Sequence, residues 1–179
     1  MKRLLGGLLE STHVLAIALL FGAAALLTRL TSPGLFADSL GVSQETAARI
    51  FQDLAAMVGN PGRALAVIAI IAAILAPYVR NDDRMGVAWA RVACAVAALA
   101  VLISGWGDEG VRTWGETAAL FDADVERHAT AAHAMAVKAD ETVTPWNALL
   151  AFSGLNLVLA AFQVFSAPES PKSAKPKKG

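Results

Sequence analysis

Apolar residues are gathered into four long stretches separated by polar connections: Leu4 to about Leu30, Ala64 to Val79, about Met85 to Trp106, and Trp146 to Phe165. A membrane-crossing helix needs about 20 such residues, with a range of roughly 17–25, so each stretch is a candidate span, the second being the most compact. None alternates with the period of two expected of an outer-membrane strand. The pattern predicts an all-α polytopic membrane protein over residues 1–165, a four-transmembrane-helix bundle with amphipathic helices in two outer connections, 31–63 and 107–145. Residues 166–179 alternate Pro, Ser, Ala and Lys without apolar period and read as a disordered basic tail. Met1-Lys2-Arg3, a leucine run and Ala23-Ala24-Ala25 resemble the layout of a signal peptide. Glu10 and His13 interrupt the apolar region, however, and the first helix is expected to be retained.

In the first connection Ser32-Pro33-Gly34 reads as a chain reversal. A helix capped by Ser43, with Glu45 in its first turn, is expected to follow, with Ala47, Ile50, Phe51, Leu54, Met57 and Val58 at helical spacing. Gly59-Asn60-Pro61-Gly62 is expected to stop it before the second span. That helix either covers the outer mouth of the bundle or binds a partner or the membrane surface. Arg80-Asn81-Asp82-Asp83-Arg84 reads as a tight turn between the second and third spans. The second long connection opens with Gly105-Trp106-Gly107-Asp108 and reads helical from about Thr117 to Lys138. Phe121, Val125, His128, Ala132 and Met135 fall on one face of it, and Asp122, Glu126 and His133 on a flank.

Lys and Arg near span ends set orientation. Lys2, Arg3, Arg80, Arg84, Arg91 and the tail lysines lie on one side, whereas the connection 107–145 is rich in Asp and Glu. Both termini are therefore expected in the cytoplasm and the long connections outside. Composition fits: 56% of residues are hydrophobic and 17% charged, against about 45–50% and about 25% in soluble domains. This excludes a disordered chain and argues against a soluble enzyme. The formal net charge of zero offers no field for nucleic acid, and the single Cys94 forms neither an internal disulfide nor a zinc framework.

Small residues at spacing four, Ala90, Cys94 and Ala98 in the third span and Ala18 and Gly22 in the first, predict close helix approach, with Cys94 a packing residue. Asn156 falls near the middle of the fourth span beside Ser153, Gly154 and, further on, Gln163. An unsatisfied amide there would cost several kcal/mol, so Asn156 must face protein, either in an interhelical hydrogen bond or at a ligand. Glu10 and His13 are three apart on one helical face in the inner leaflet, where ionisable groups point to function. A neutral imidazole can bind copper or haem iron, with a carboxylate to orient it; the alternative is a pair hydrogen-bonded near the headgroups. His128 is a weaker metal candidate with Met135, and His133, five residues on, does not share its face. No Ser-His-Asp arrangement, P-loop, HExxH or CxxC is present.

His13 entering the first helix, Phe21-Gly22, Ser32-Pro33-Gly34-Leu35-Phe36, Arg49-Ile50-Phe51 and Trp146-Asn147 together resemble the copper-resistance-D-like group of small four-helix bacterial membrane proteins. The resemblance implies a compact four-helix bundle and an association with copper uptake or haem-linked steps, carried over to His13 alone. The chain departs from that group in having no histidine in its third span to serve as a second axial ligand, and in its long acidic outer connection.

The leading expectation is a non-catalytic integral protein of the bacterial inner membrane, an accessory or scaffold subunit of a membrane assembly. It requires no cofactor, contacts the lipid bilayer, meets membrane-protein partners through the acidic connection 107–145, is a candidate oligomer, and does not bind nucleic acid. The alternative is copper or haem handling or transport through Glu10, His13 and Asn156; a membrane enzyme is the third reading.

Overall fold

A computed structural model describes residues 2–30, 41–80, 85–123 and 128–165. Every regular element among them is helical: α1 (Lys2–Leu30), α2 (Gln44–Arg80), α3 (Met85–Ile103), α4 (Trp106–Ala123) and α5 (His128–Phe165). Segments of α1, α2, α3 and α5 are long and apolar enough to cross a membrane: Leu4–Arg29, Glu45–Val79, Met85–Ile103 and Glu141–Gln163. The chain reversal expected at Ser32-Pro33-Gly34, the turn expected between the second and third spans and the disordered tail expected from Ser166 lie outside the described residues.

Ser43 caps α2 as its position predicts: Thr46 N donates to Ser43 Oγ at 3.2 Å, satisfying one of the free first-turn amides. The helix does not stop at Gly59-Asn60-Pro61-Gly62. It continues for 37 residues with Pro61 and Pro77 inside it, so the expected amphipathic helix and second span are one rod. Tertiary packing overrides the local breakers here. On the N-terminal side of the break Ala47, Ala48, Phe51 and Ala55 are buried. At the break itself Gly62 brings α2 against Leu20 and Leu102, whose methyls lie 3.4 Å from where its Cβ would sit. Of the predicted apolar face, Ile50 and Met57 point outward instead.

The far end repeats this arrangement. α3 ends at Ile103, and Gly105 (φ 70°) takes the left-handed conformation that glycine adopts without a Cβ penalty. Arg63 Nε donates to the Leu102 carbonyl at 3.0 Å, supplying a partner to one of the terminal carbonyls of α3. The chain then re-enters helix at once, with Glu109 N donating to Gly105 O at 2.9 Å, so the expected coil at the start of this connection is helical. α5 runs for 38 residues through Pro145, joining the second half of the outer connection to the fourth span.

α1 packs on α2 and α5, α3 packs on the same two helices, and α4 packs on α2 and α5. One core runs through all of them, from Ile17, Leu20 and Leu27 of α1 to Phe51 of α2, Ala98 of α3, Ala118 of α4 and Leu149 of α5. The small-residue reading holds for α3, where Cys94 and Ala98 are buried. It fails for α1: Ala18 and Gly22 are exposed, and nothing lies within 4 Å of a Cβ built on Gly22. Spacing identifies a smooth ridge but not the direction it faces. The close approach on α5 is Gly154, against the Phe21 ring.

Candidate functional site

Glu10 and His13, one turn apart on α1, point between the other three long helices at a level where α2 and α3 offer small side chains, Ala69 and Ala95, both 0% exposed. The space left by those alanines is filled with polar groups. His13 is 0%, Asn156 1% and Arg91 2% exposed. His13 Nδ1 lies 2.7 Å from the Ala69 carbonyl oxygen, a second contact for a carbonyl inside a helix, which its two lone pairs permit. His13 Nε2 lies 2.8 Å from Asn156 Oδ1. Asn156 Nδ2 in turn donates to the Arg91 carbonyl at 2.8 Å. The chain Ala69–His13–Asn156–Arg91 thereby crosses α2, α1, α5 and α3 in that order.

The Arg91 side chain extends from the same residue. Its Nη1 lies 2.5 Å from Glu10 Oε1 and donates to Gln163 Oε1 at 2.6 Å. Asn156 and Gln163 are seven residues apart, two turns of α5, which places both on the face that meets α3. The Glu10 contact has the distance of an ion pair, but among the described residues Oε1 has no aligned hydrogen bond, and Arg91 Nε and Nη2 are buried without a hydrogen-bond partner. The guanidinium is therefore neutralised in charge and only partly satisfied in hydrogen bonding. Ser153, also buried, returns its hydroxyl to the Leu149 carbonyl at 2.6 Å and takes no part.

Residue counts along the helices place the cluster. At a rise of about 1.5 Å per residue, exposed Leu4 lies about 13 Å to one side of His13, and exposed Leu26 about 20 Å to the other. Exposed Tyr78 lies about 13 Å beyond Ala69, exposed Met57 about 18 Å in the opposite direction, and Ile103 about 18 Å from Arg91. The exposed apolar residues therefore form a belt about 32 Å tall, close to the roughly 30 Å hydrocarbon thickness of a bilayer. Of the charged pair, Glu10 sits about 7 Å from the middle of the belt and about 9 Å inside its Leu4 end. Beyond the belt, the exposed surface carries the ion pairs Arg49–Glu45 and Arg112–Glu116.

The three residues expected to handle a ligand, Glu10, His13 and Asn156, are thus brought together. His128 is not among them. It begins α5, about 40 Å of helix from Asn156, and its side chain, like those of His133 and Met135, lies outside the described ones. Among the described residues no group of three or more His, Cys, Asp or Glu could hold a metal ion. Both His13 ring nitrogens are engaged, so a metal there would have to displace the Ala69 or the Asn156 contact. Arg91 is the residue that sequence reasoning passed over as a site residue. Grouped with Arg80 and Arg84 as a flanking charge, it is instead buried and paired inside the bundle, and it contributes nothing to a cytoplasmic surface. Its signal was its setting, a lone cation six residues into an Ala/Val run, too far from the helix end for a flanking charge.

Comparison with protein families, with curated proteins and with solved structures finds no match to this chain.

Proposed function

We propose that the protein is a non-catalytic polytopic membrane protein, a four-helix bundle in the bacterial inner membrane that serves as an accessory or scaffold subunit of a larger assembly. The observation that carries this reading is the inversion of polarity across the belt. Leucines, isoleucines and valines face outward over about the thickness of a bilayer, while Glu10, His13, Arg91, Asn156 and Gln163 face one another within. Polar groups in hydrocarbon find partners inside protein, and this set is spent on ties between helices, with small residues drawing the backbones close. The outer halves of α2 and α5 rise beyond the belt with α4 packed against them, and this water-facing layer is the surface offered to a partner. The termini and the 81–84 turn face the cytoplasm in this reading, as the Lys and Arg distribution implies.

Handling of copper or haem is the second reading. It draws on the convergence of Glu10, His13 and Asn156 at one point and on the resemblance carried by His13. The two readings separate on purification of the full chain from its native membrane in mild detergent. A defined protein partner, with no Soret band and no stoichiometric copper, is expected of a scaffold. A porphyrin or copper lost on His13→Ala would establish the second reading and refute the first.

A further inference from the structure

The chain that links four helices at His13 has more acceptors than a neutral imidazole can serve. Its two ends are the backbone carbonyls of Ala69 and Arg91, which only accept. A neutral imidazole carries one N–H and one lone pair. With the proton on Nδ1, toward Ala69, Nε2 must accept from the Asn156 amide nitrogen, which turns Oδ1 onto the Arg91 carbonyl. With the proton on Nε2, Asn156 serves both neighbours, but the Nδ1 lone pair faces the Ala69 oxygen at 2.7 Å. In either case two acceptors meet at hydrogen-bond distance. Protons on both nitrogens, with Oδ1 toward the ring, give every link one donor and one acceptor; turning the amide leaves two acceptors facing at the Arg91 carbonyl in every protonation state.

The groups facing His13 are few. α2 contributes the Ala69 carbonyl, α5 the uncharged Asn156, α3 the Arg91 cation, and α1 itself the Glu10 carboxylate. Among the described residues the ring therefore has two acceptors in contact with it, and the cation nearby is paired with the carboxylate. We propose that His13 is a proton-binding site in the interior of the bundle. Its imidazolium ties α1 to α2 and α5, and through Asn156 to α3; release of the proton opens one of these links. The site does not depend on the scaffold reading, and it competes with copper or haem at His13, whose ligation needs a deprotonated ring nitrogen.

The test is nitrogen NMR on the full chain in lipid nanodiscs, labelled at histidine. The His128→Gln/His133→Gln variant leaves His13 the sole histidine, so no substitution in the cluster is needed. Two ring N–H groups on the acid side of the ordinary histidine pKa of about 6.5 are expected, and a single N–H there overturns the proposal. Raising the pH until one N–H is lost should shift the thermal midpoint of the wild type, because the proton's binding is linked to the folded packing around the ring. His13→Gln should lack that shift. Identical pH profiles for the two proteins would show that the proton ties nothing together, and would overturn it as well; should His13→Gln not fold, the ring-proton count decides alone.

Discussion

Asn156→Leu removes the link between three helices while keeping volume and adding apolar surface to the bundle. Two hydrogen bonds are lost, from His13 Nε2 and to the Arg91 carbonyl. Interhelical hydrogen bonds in membranes are worth about 0.6–2 kcal/mol each, which gives about 1–4 kcal/mol for the pair. The partners left behind increase this. Both are buried, and an unsatisfied buried group costs about 1–3 kcal/mol. The better packing of leucine offsets part of that sum, leaving an expected loss of about 2–4 kcal/mol. Unfolding in bicelles followed by steric trapping measures it, with Asn147→Leu, at an exposed position of the same helix, as the control. A loss below about 0.5 kcal/mol, or one matched by the control, would show that Asn156 does not tie the helices together.

The ion pair makes a signed prediction. Glu10→Leu or Arg91→Leu alone should each cost about 3–5 kcal/mol by stranding a buried charge, and the double substitution should be less destabilised than either; additive losses in the same unfolding assay would refute the pairing. Gly22→Leu should leave stability within about 0.5 kcal/mol, since its side chain meets open space. Gly154→Leu should cost about 1–3 kcal/mol by overpacking against Phe21, which a Cβ alone would approach to 3.1 Å; equal tolerance at the two glycines would contradict this assignment of faces. Ala98→Leu, at a position with no exposure, should cost about 1–3 kcal/mol for the same reason, read as a lowered midpoint.

The elements of this fold were legible in the sequence to the extent that hydropathy alone decides them. All four apolar stretches are helical, and the requirement that Asn156 face protein is met. Continuity was not legible. Gly59-Asn60-Pro61-Gly62 is a strong local stop, and only the packing of Gly62 on Leu20 and Leu102 and of Phe51 in the core shows why the helix passes through it. Pro145 in α5 is a second case. The partner of Glu10 was hidden for a related reason. Charge near a span end is read as topology, and a side chain two turns deeper than Arg84, such as Arg91, changes meaning from flank to interior without any change in residue type. The spacing of Ala18 and Gly22 misled in the opposite way, because a smooth ridge packs as well against lipid as against a helix.

The most direct measurement is cysteine accessibility in intact membranes, on a chain with Cys94→Ala. Single cysteines at Leu15, Val96 and Val158, exposed and level with the buried cluster, should resist an impermeant maleimide. A cysteine at Glu116 of α4 should react from outside, and one at Asp83 only after the membrane is opened. Reaction at Leu15, Val96 and Val158 at the rate seen for Glu116 would place the apolar belt in water and contradict a membrane-spanning bundle built around an interior Glu10–Arg91 pair.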